Sequence, residues 1–126
     1  MLRESRAGKL MMWGLGWTAA IPDAETFYAI LYGKNKGTAN HTRFDHPEWN
    51  ALYEKALVLA DGPERRSLHD RMDRLAAAYA PMRPIVHRIG TSLMHPWVSG
   101  YQRHPVLREF WKFIDLDPAP QAQARK

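Results

Sequence analysis

The sequence predicts an α/β chain, ordered as strand, helix, loop, helix hairpin and strands. Three observations predict it. Leu10 to Trp17 is an apolar segment of strand length that runs through Thr-Ala-Ala-Ile into a Pro22-Asp23 helix start. Two amphipathic stripes follow, joined only by Asp61-Gly62-Pro63, which makes an αα-hairpin. Ile85-Val86-His87-Arg88-Ile89 then has the β-branched composition of a strand.

In chain order, residues 1–8 form a charged stretch without periodicity, expected to be a disordered, frayed lead-in. In the first strand Gly14 and Gly16 weaken pairing but let the backbone approach a ligand or neighbour closely, which marks a candidate pocket rim. Trp13 and Trp17 lie four apart, so a strand puts both on one face; Trp13 is read as core and Trp17, at the strand end, as pocket lining. In the helix from Ala24, Asp23 accepts from free first-turn amides, Glu25 favours the positive end of the dipole, and Phe27, Ile30 and Leu31 fall on one face. Tyr32 to Asn40 is a loop rich in glycine and asparagine, expected to be free to reach over a cleft.

Pro47 and Glu48 start the second helix, in which Trp49, Leu52, Tyr53, Ala56, Leu57 and Ala60 follow the i, i+3, i+4, i+7 rule. From Glu64 to Ala80 the stripe is Leu68, Met72, Leu75, Ala76 and Tyr79. Pro81 and Pro84 bracket the helix exit, ahead of candidate strands at 85–89 and 91–94. Pro96 to Tyr101 turns the chain, and Val106 to Asp117 is a short strand or a terminal helical turn. From Pro118 to Lys126 the composition is that of a flexible tail.

The 126 residues suffice for one core, and 45% hydrophobic with 25% charged residues is ordinary for a globular chain. A net charge of +5 admits an acidic partner, and a small basic helical module binding nucleic acid is the competing functional class. The charge distribution argues against it, because Arg65, Arg66, Arg71 and Arg74 share their segment with Glu64, Asp70 and Asp73 in what reads as a solvated face of mixed sign. Cysteine is absent, which excludes disulfides and thiolate chemistry and leaves the redox compartment open. Nor does any apolar run approach a membrane span, and Met1 to Leu10 lacks the apolar region of an export signal.

Catalytic motifs are equally lacking. The sequence holds no nucleophile elbow, phosphate loop or HExxH, and Ser67 and His69 point to different helix faces. His41, Asp45 and His46 form the tightest group of metal-ligand types, but their spacing matches no established zinc pattern, and His46 and His87 are expected to be satisfied locally. No enzyme activity, metal or cofactor is expected. Asn40 and Arg43 flank a loop end, where the arginine suits either a ligand carboxylate or a neighbouring acid.

Gly16-Trp17, Pro22-Asp23, Asn40-x-x-Arg43-Phe44-Asp45, Pro47-Glu48, Asp61-Gly62-Pro63-Glu64-Arg65 and Val98-Ser99-Gly100-Tyr101 occur together in this order and spacing. The pattern, from Lys9 to Asp117, resembles the C-terminal part of the extracellular solute-binding proteins of ABC importers, in the class that includes the dipeptide- and oligopeptide-binding proteins. The resemblance implies that residues 9–117 are a fragment of the C-terminal lobe of a two-lobed periplasmic-binding-protein fold (type II). It also implies a periplasmic parent that captures peptides or similar small solutes non-covalently and delivers them to an ABC permease. The missing lobe and export signal are then expected upstream of Met1. An open strand edge is expected to drive self-association of the isolated chain.

Carried over residue by residue, the resemblance makes Trp17 a wall of the ligand cleft. Three residues later the peptide binders commonly have an aspartate that pairs with the peptide's amino terminus; here that position is Ala20. The resemblance thus implies a ligand without a free amine at that spot, or one anchored from the other lobe. Asp23 matches a position read chiefly as helix-capping.

Overall fold

The computed structural model describes residues 1–87, 89–104 and 109–117. They fall into two compact units, the first Met1–Ile85 and the second beginning at Val86.

In the first unit the core is the helix hairpin. α3 (Pro47–Leu57) and α4 (Pro63–Tyr79) both begin with proline, whose missing N–H is no loss in a first turn, and each has a glutamate there. Trp49, Leu52, Tyr53 and Ala56 of α3 pack with Leu68 and Met72 of α4. These are the stripes the periodicity predicts, apart from Leu57, Ala60 and Tyr79, which remain exposed at the helix ends. α4 ends on Ala80 in the left-handed region (φ 46°), with its N–H bonded to the Ala76 carbonyl. The predicted helix after Asp23 is short: α2 (Glu25–Tyr28) passes into a 3-10 turn, Ala29–Leu31, that buries Leu31 against the hairpin.

The sequence expectation fails at several places, each for an identifiable reason. Residues 10–17 make no strand among the described residues, and Met11 and Met12 stand fully in solvent. A lone strand leaves its backbone groups unpaired and is not stable, and the described chain supplies no neighbour. The same holds for the expected strands at 85–89 and 91–94, whose described residues form no ladder and leave Ile85, Val86, Ile89 and Leu93 exposed. Residues 1–8, expected to fray, instead hold the short helix α1 (Leu2–Arg6), tied down by buried Ser5, whose hydroxyl meets His41 Nδ1 at 2.8 Å.

The 32–40 loop is also far from free. It contains a second 3-10 turn, Gly33–Asn35, with Asn35 Nδ2 donating to the Ala29 carbonyl and the Gly33 N–H donating to Asn50 of α3. Gly33 is required there, since a Cβ would strike the Asp45 carboxylate and the Asn50 amide. Lys36 closes the loop with an ion pair to Asp45.

In the second unit, β1 (Val98–Ser99) pairs antiparallel with β2 (Asp115–Leu116), Val98 opposite Leu116. Val98-Ser99 is therefore a strand; the expected turn is borne out at Pro96-Trp97, where the Val98 N–H donates to the His95 carbonyl, and the backbone bends again at Gly100 (φ 75°). The described part of the predicted 106–117 element is a 3-10 turn, Trp111–Phe113, followed by β2. The expected tail, 118–126, lies outside the described residues.

Candidate functional site

The most ordered polar arrangement in the first unit sits where the 10–23 segment enters α2. Arg65, one turn into α4, lies on the same stripe as Leu68 and Met72 and is carried into the core edge. Its guanidinium makes a two-pronged fork onto Asp23, Nη1 to Oδ2 and Nη2 to Oδ1, both at 2.9 Å. Nη1 also donates to Asp61 (2.6 Å), and Nε to the Ala56 carbonyl at the end of α3 (3.2 Å). Four of the five guanidinium N–H bonds are thereby used, one from Nε, two from Nη1 and one from Nη2. Arg65 is thus a structural clamp, not the solvated surface residue its charged neighbours suggest.

Asp23 caps the start of α2 as the sequence predicts, accepting the Glu25 N–H at 2.8 Å. The Arg65 fork, and then this backbone bond, hold its carboxyl below the ordinary value of 3.8. Next in line, Glu25 accepts from the Tyr53 hydroxyl, and Tyr28 donates to Asp73 (3.1 Å) while stacking on His69. Burial, followed by the two acids' charge or hydrogen bond, pushes both phenols well above their usual range. A depression of about 310 Å³ opens beside this network, lined by Pro22, Asp23, Ala24, Asp61, Gly62, Arg65, Arg66 and His69.

His69 gives this site a pH signature. Burial first, and the Arg65 charge second, lower its pKa from 6.5. The folded value lies below the unfolded one, so this group's contribution to stability is complete above about 6.5 and is lost as the pH falls through the lowered folded value. Urea midpoints are expected to drop on acidification from about pH 7 to about pH 5, and His69→Gln to flatten that segment; an unchanged slope in the variant would contradict the assignment.

The four residues singled out from the sequence go to separate places. Trp17 is 38% exposed, and its indole N–H donates to the Thr26 carbonyl of α2 at 3.1 Å. Ala20 is exposed on the stretch before Pro22. Asn40 is fully buried, with Nδ2 donating to the Tyr32 and Phe44 carbonyls and Oδ1 accepting from Thr42, so its side chain staples the loop. Arg43, at φ 59°, donates to the Arg6 carbonyl at the end of α1 and packs over Gly8. None of the four lines the 310 Å³ depression.

The metal-ligand types also disperse: His41 goes to Ser5, Asp45 to Lys36 and Asn50, and His46 to the Tyr79 hydroxyl. Of the expected local satisfaction, His46 has only half, since its Nδ1 is buried without a protein partner. Lys34, Lys36, Lys55 and Arg71 each meet a carboxylate on the surface, so the mixed-sign reading of the charge extends beyond α4. What the sequence reading missed is Arg65, and the available signal was its place three residues before Leu68 and seven before Met72.

The chain is similar to Heme-binding protein A of Haemophilus influenzae, with 30% identity over 116 residues. The aligned region takes in 91% of this chain and 21% of that protein, so the chain spans about one fifth of the length of the curated relative it matches. No family profile matches the chain, and no solved structure matches it.

Proposed function

We propose that these residues are part of the second lobe of a longer, two-lobed solute-binding protein that serves an ABC importer in the periplasm. The parent captures a small peptide-like solute without a covalent step and hands it to the permease. The observation that carries this reading is the similarity to Heme-binding protein A along nearly the whole chain, at about a fifth of that protein's length. The order and spacing of the Trp17, Pro22-Asp23, Asn40-to-Asp45 and Asp61-to-Arg65 motifs support it independently. Among the described residues no helix is long and apolar enough to cross a membrane.

Within this reading Trp17 contributes a flat apolar wall and Ala20 a neutral rim, which favours a solute with no free amine at that point, because an unpaired ammonium there would lose its water without gaining a partner. The test is calorimetric titration of the full protein encoded by the surrounding reading frame, with di- and tripeptides, their N-acetylated forms, and haem, the ligand named for the relative. Saturable binding with the acetylated peptides at least as tight as the free ones is expected. Absence of saturable binding, turnover of the peptide, or a reading frame confined to these residues would overturn the proposal.

A consequence concerns the isolated 126-residue chain. Met11 and Met12 in the first unit, and Ile89 and Leu93 in the second, are each at least 90% exposed. Such surface drives association in water. Light scattering on the purified chain at micromolar concentration is expected to report dimers or larger species; a clean monomer would count against it.

A further inference from the structure

We infer that Arg65 is a latch that fixes the position of the Trp17 rim on the helix hairpin, and so acts as a positioning residue for any solute that Trp17 contacts. The functional part of this inference rests on the reading of Trp17 as a cleft wall; the mechanical part stands on the geometry alone.

Residues 17–22 have little burial of their own: only Ala19 is even half-buried. Trp17 is tied to α2 by its indole N–H on the Thr26 carbonyl. α2 in turn has only four residues, too few to hold a helical conformation without outside contacts. Its N-terminal side is held by the Asp23 carboxylate, whose two oxygens are both occupied by the Arg65 fork while Oδ1 also accepts the Glu25 N–H. Arg65 itself is anchored to both arms of the hairpin, growing from α4 and donating to the last turn of α3. The line of force therefore runs from the two core helices, through one guanidinium, to Asp23, α2 and Trp17. The Tyr53–Glu25 hydrogen bond holds the first residue of α2 and the Tyr28–Asp73 bond its last, but neither touches Asp23, which among the described residues only the Arg65 fork ties to the hairpin. Lysine cannot replace the arginine in this role, since a single ammonium cannot form the planar fork.

The experiment is heteronuclear NMR on the ¹⁵N-labelled chain, following the five tryptophan indole N–H signals, each assigned by a single Trp→Phe change. Trp49 lies in the core at 1% exposure and reports whether the hairpin remains folded. In Arg65→Lys, and in the milder Asp23→Asn, the Trp17 indole N–H is expected to shift and to exchange with solvent about tenfold faster, the loss that follows from one weakened charge-assisted hydrogen bond, with the Trp49 signal unchanged. An unaltered Trp17 signal in both variants would overturn the latch. So would loss of Trp49 protection in both, since Arg65 would then support the whole hairpin and not the rim. No solute is present, so the result is independent of what the longer protein binds. Should the latch hold while Trp17→Phe leaves solute affinity in the longer protein unchanged, the latch stands and the cleft-wall reading falls.

Discussion

Replacing Trp49 with alanine is expected to destabilise the first unit by about 3–5 kcal/mol, enough to unfold most of it at room temperature. The indole is 1% exposed and sits edge-on to Phe44 and beside Tyr28, in the same buried cluster as Leu31, Leu68 and Met72. No small shift of a helix pair closes a void of that size, so the cavity cost adds to the lost transfer energy. Trp49→Phe is expected to be far milder, since it keeps most of the apolar volume and removes an indole N–H that has no protein hydrogen-bond partner. Urea denaturation followed by far-ultraviolet circular dichroism separates the two; similar losses in both variants would show that the core needs the full indole shape and that phenylalanine cannot fill the site.

The second large effect is expected at Arg65. Breaking a buried ion pair by removing one partner costs about 3–5 kcal/mol when the other charge is left in a dry site. Here the Asp23 side chain retains 28% exposure and Asp61 92%, so water recovers part of the loss and about 2 kcal/mol is expected for Arg65→Met. The pH dependence identifies the partner. Asp23 has a lowered pKa in the folded chain, caused first by Arg65, so its contribution is present above the unfolded value of 3.8 and fades as the pH falls through the lower folded value. The stability difference between wild type and variant is therefore expected to stay level from about pH 6 to about pH 4.5 and to shrink below that. A difference that persists undiminished to the lowest pH at which the chain still folds would assign the loss to the packed stem of the arginine instead of the ion pair.

The helix hairpin was legible because its signal is local. Proline, glutamate and a 3.6-residue apolar stripe act within single turns, and the stripes at 49–60 and 68–79 predicted the helix members of the core, overreaching only at Leu57, Ala60 and Tyr79. Asp23 was legible for the same reason, as an acid two residues before the amide it accepts. Arg65 was misread because its charge was weighed by composition, among Glu64, Arg66 and Asp70, and not by position on the helix. Asn40 was read as a ligand contact because nothing in its neighbours reveals that the Tyr32 and Phe44 carbonyls converge on it across a folded loop.

The sequence by itself determined the elements that complete themselves within a few residues: the two long helices, their proline starts, their connection through Gly62, and the cap at Asp23. Tertiary structure alone decided which apolar stretches become ladders, because a strand needs a second backbone at hydrogen-bonding distance and no local pattern supplies one. Residues 10–17 have the composition of a strand and remain unpaired and mostly exposed, whereas Val98-Ser99, with hardly any pattern, pairs because Asp115-Leu116 is brought alongside it. The same physics governs the site. Trp17 was visible in the sequence, but what holds it in place, a guanidinium 48 positions further along the chain, follows only from how the helices pack.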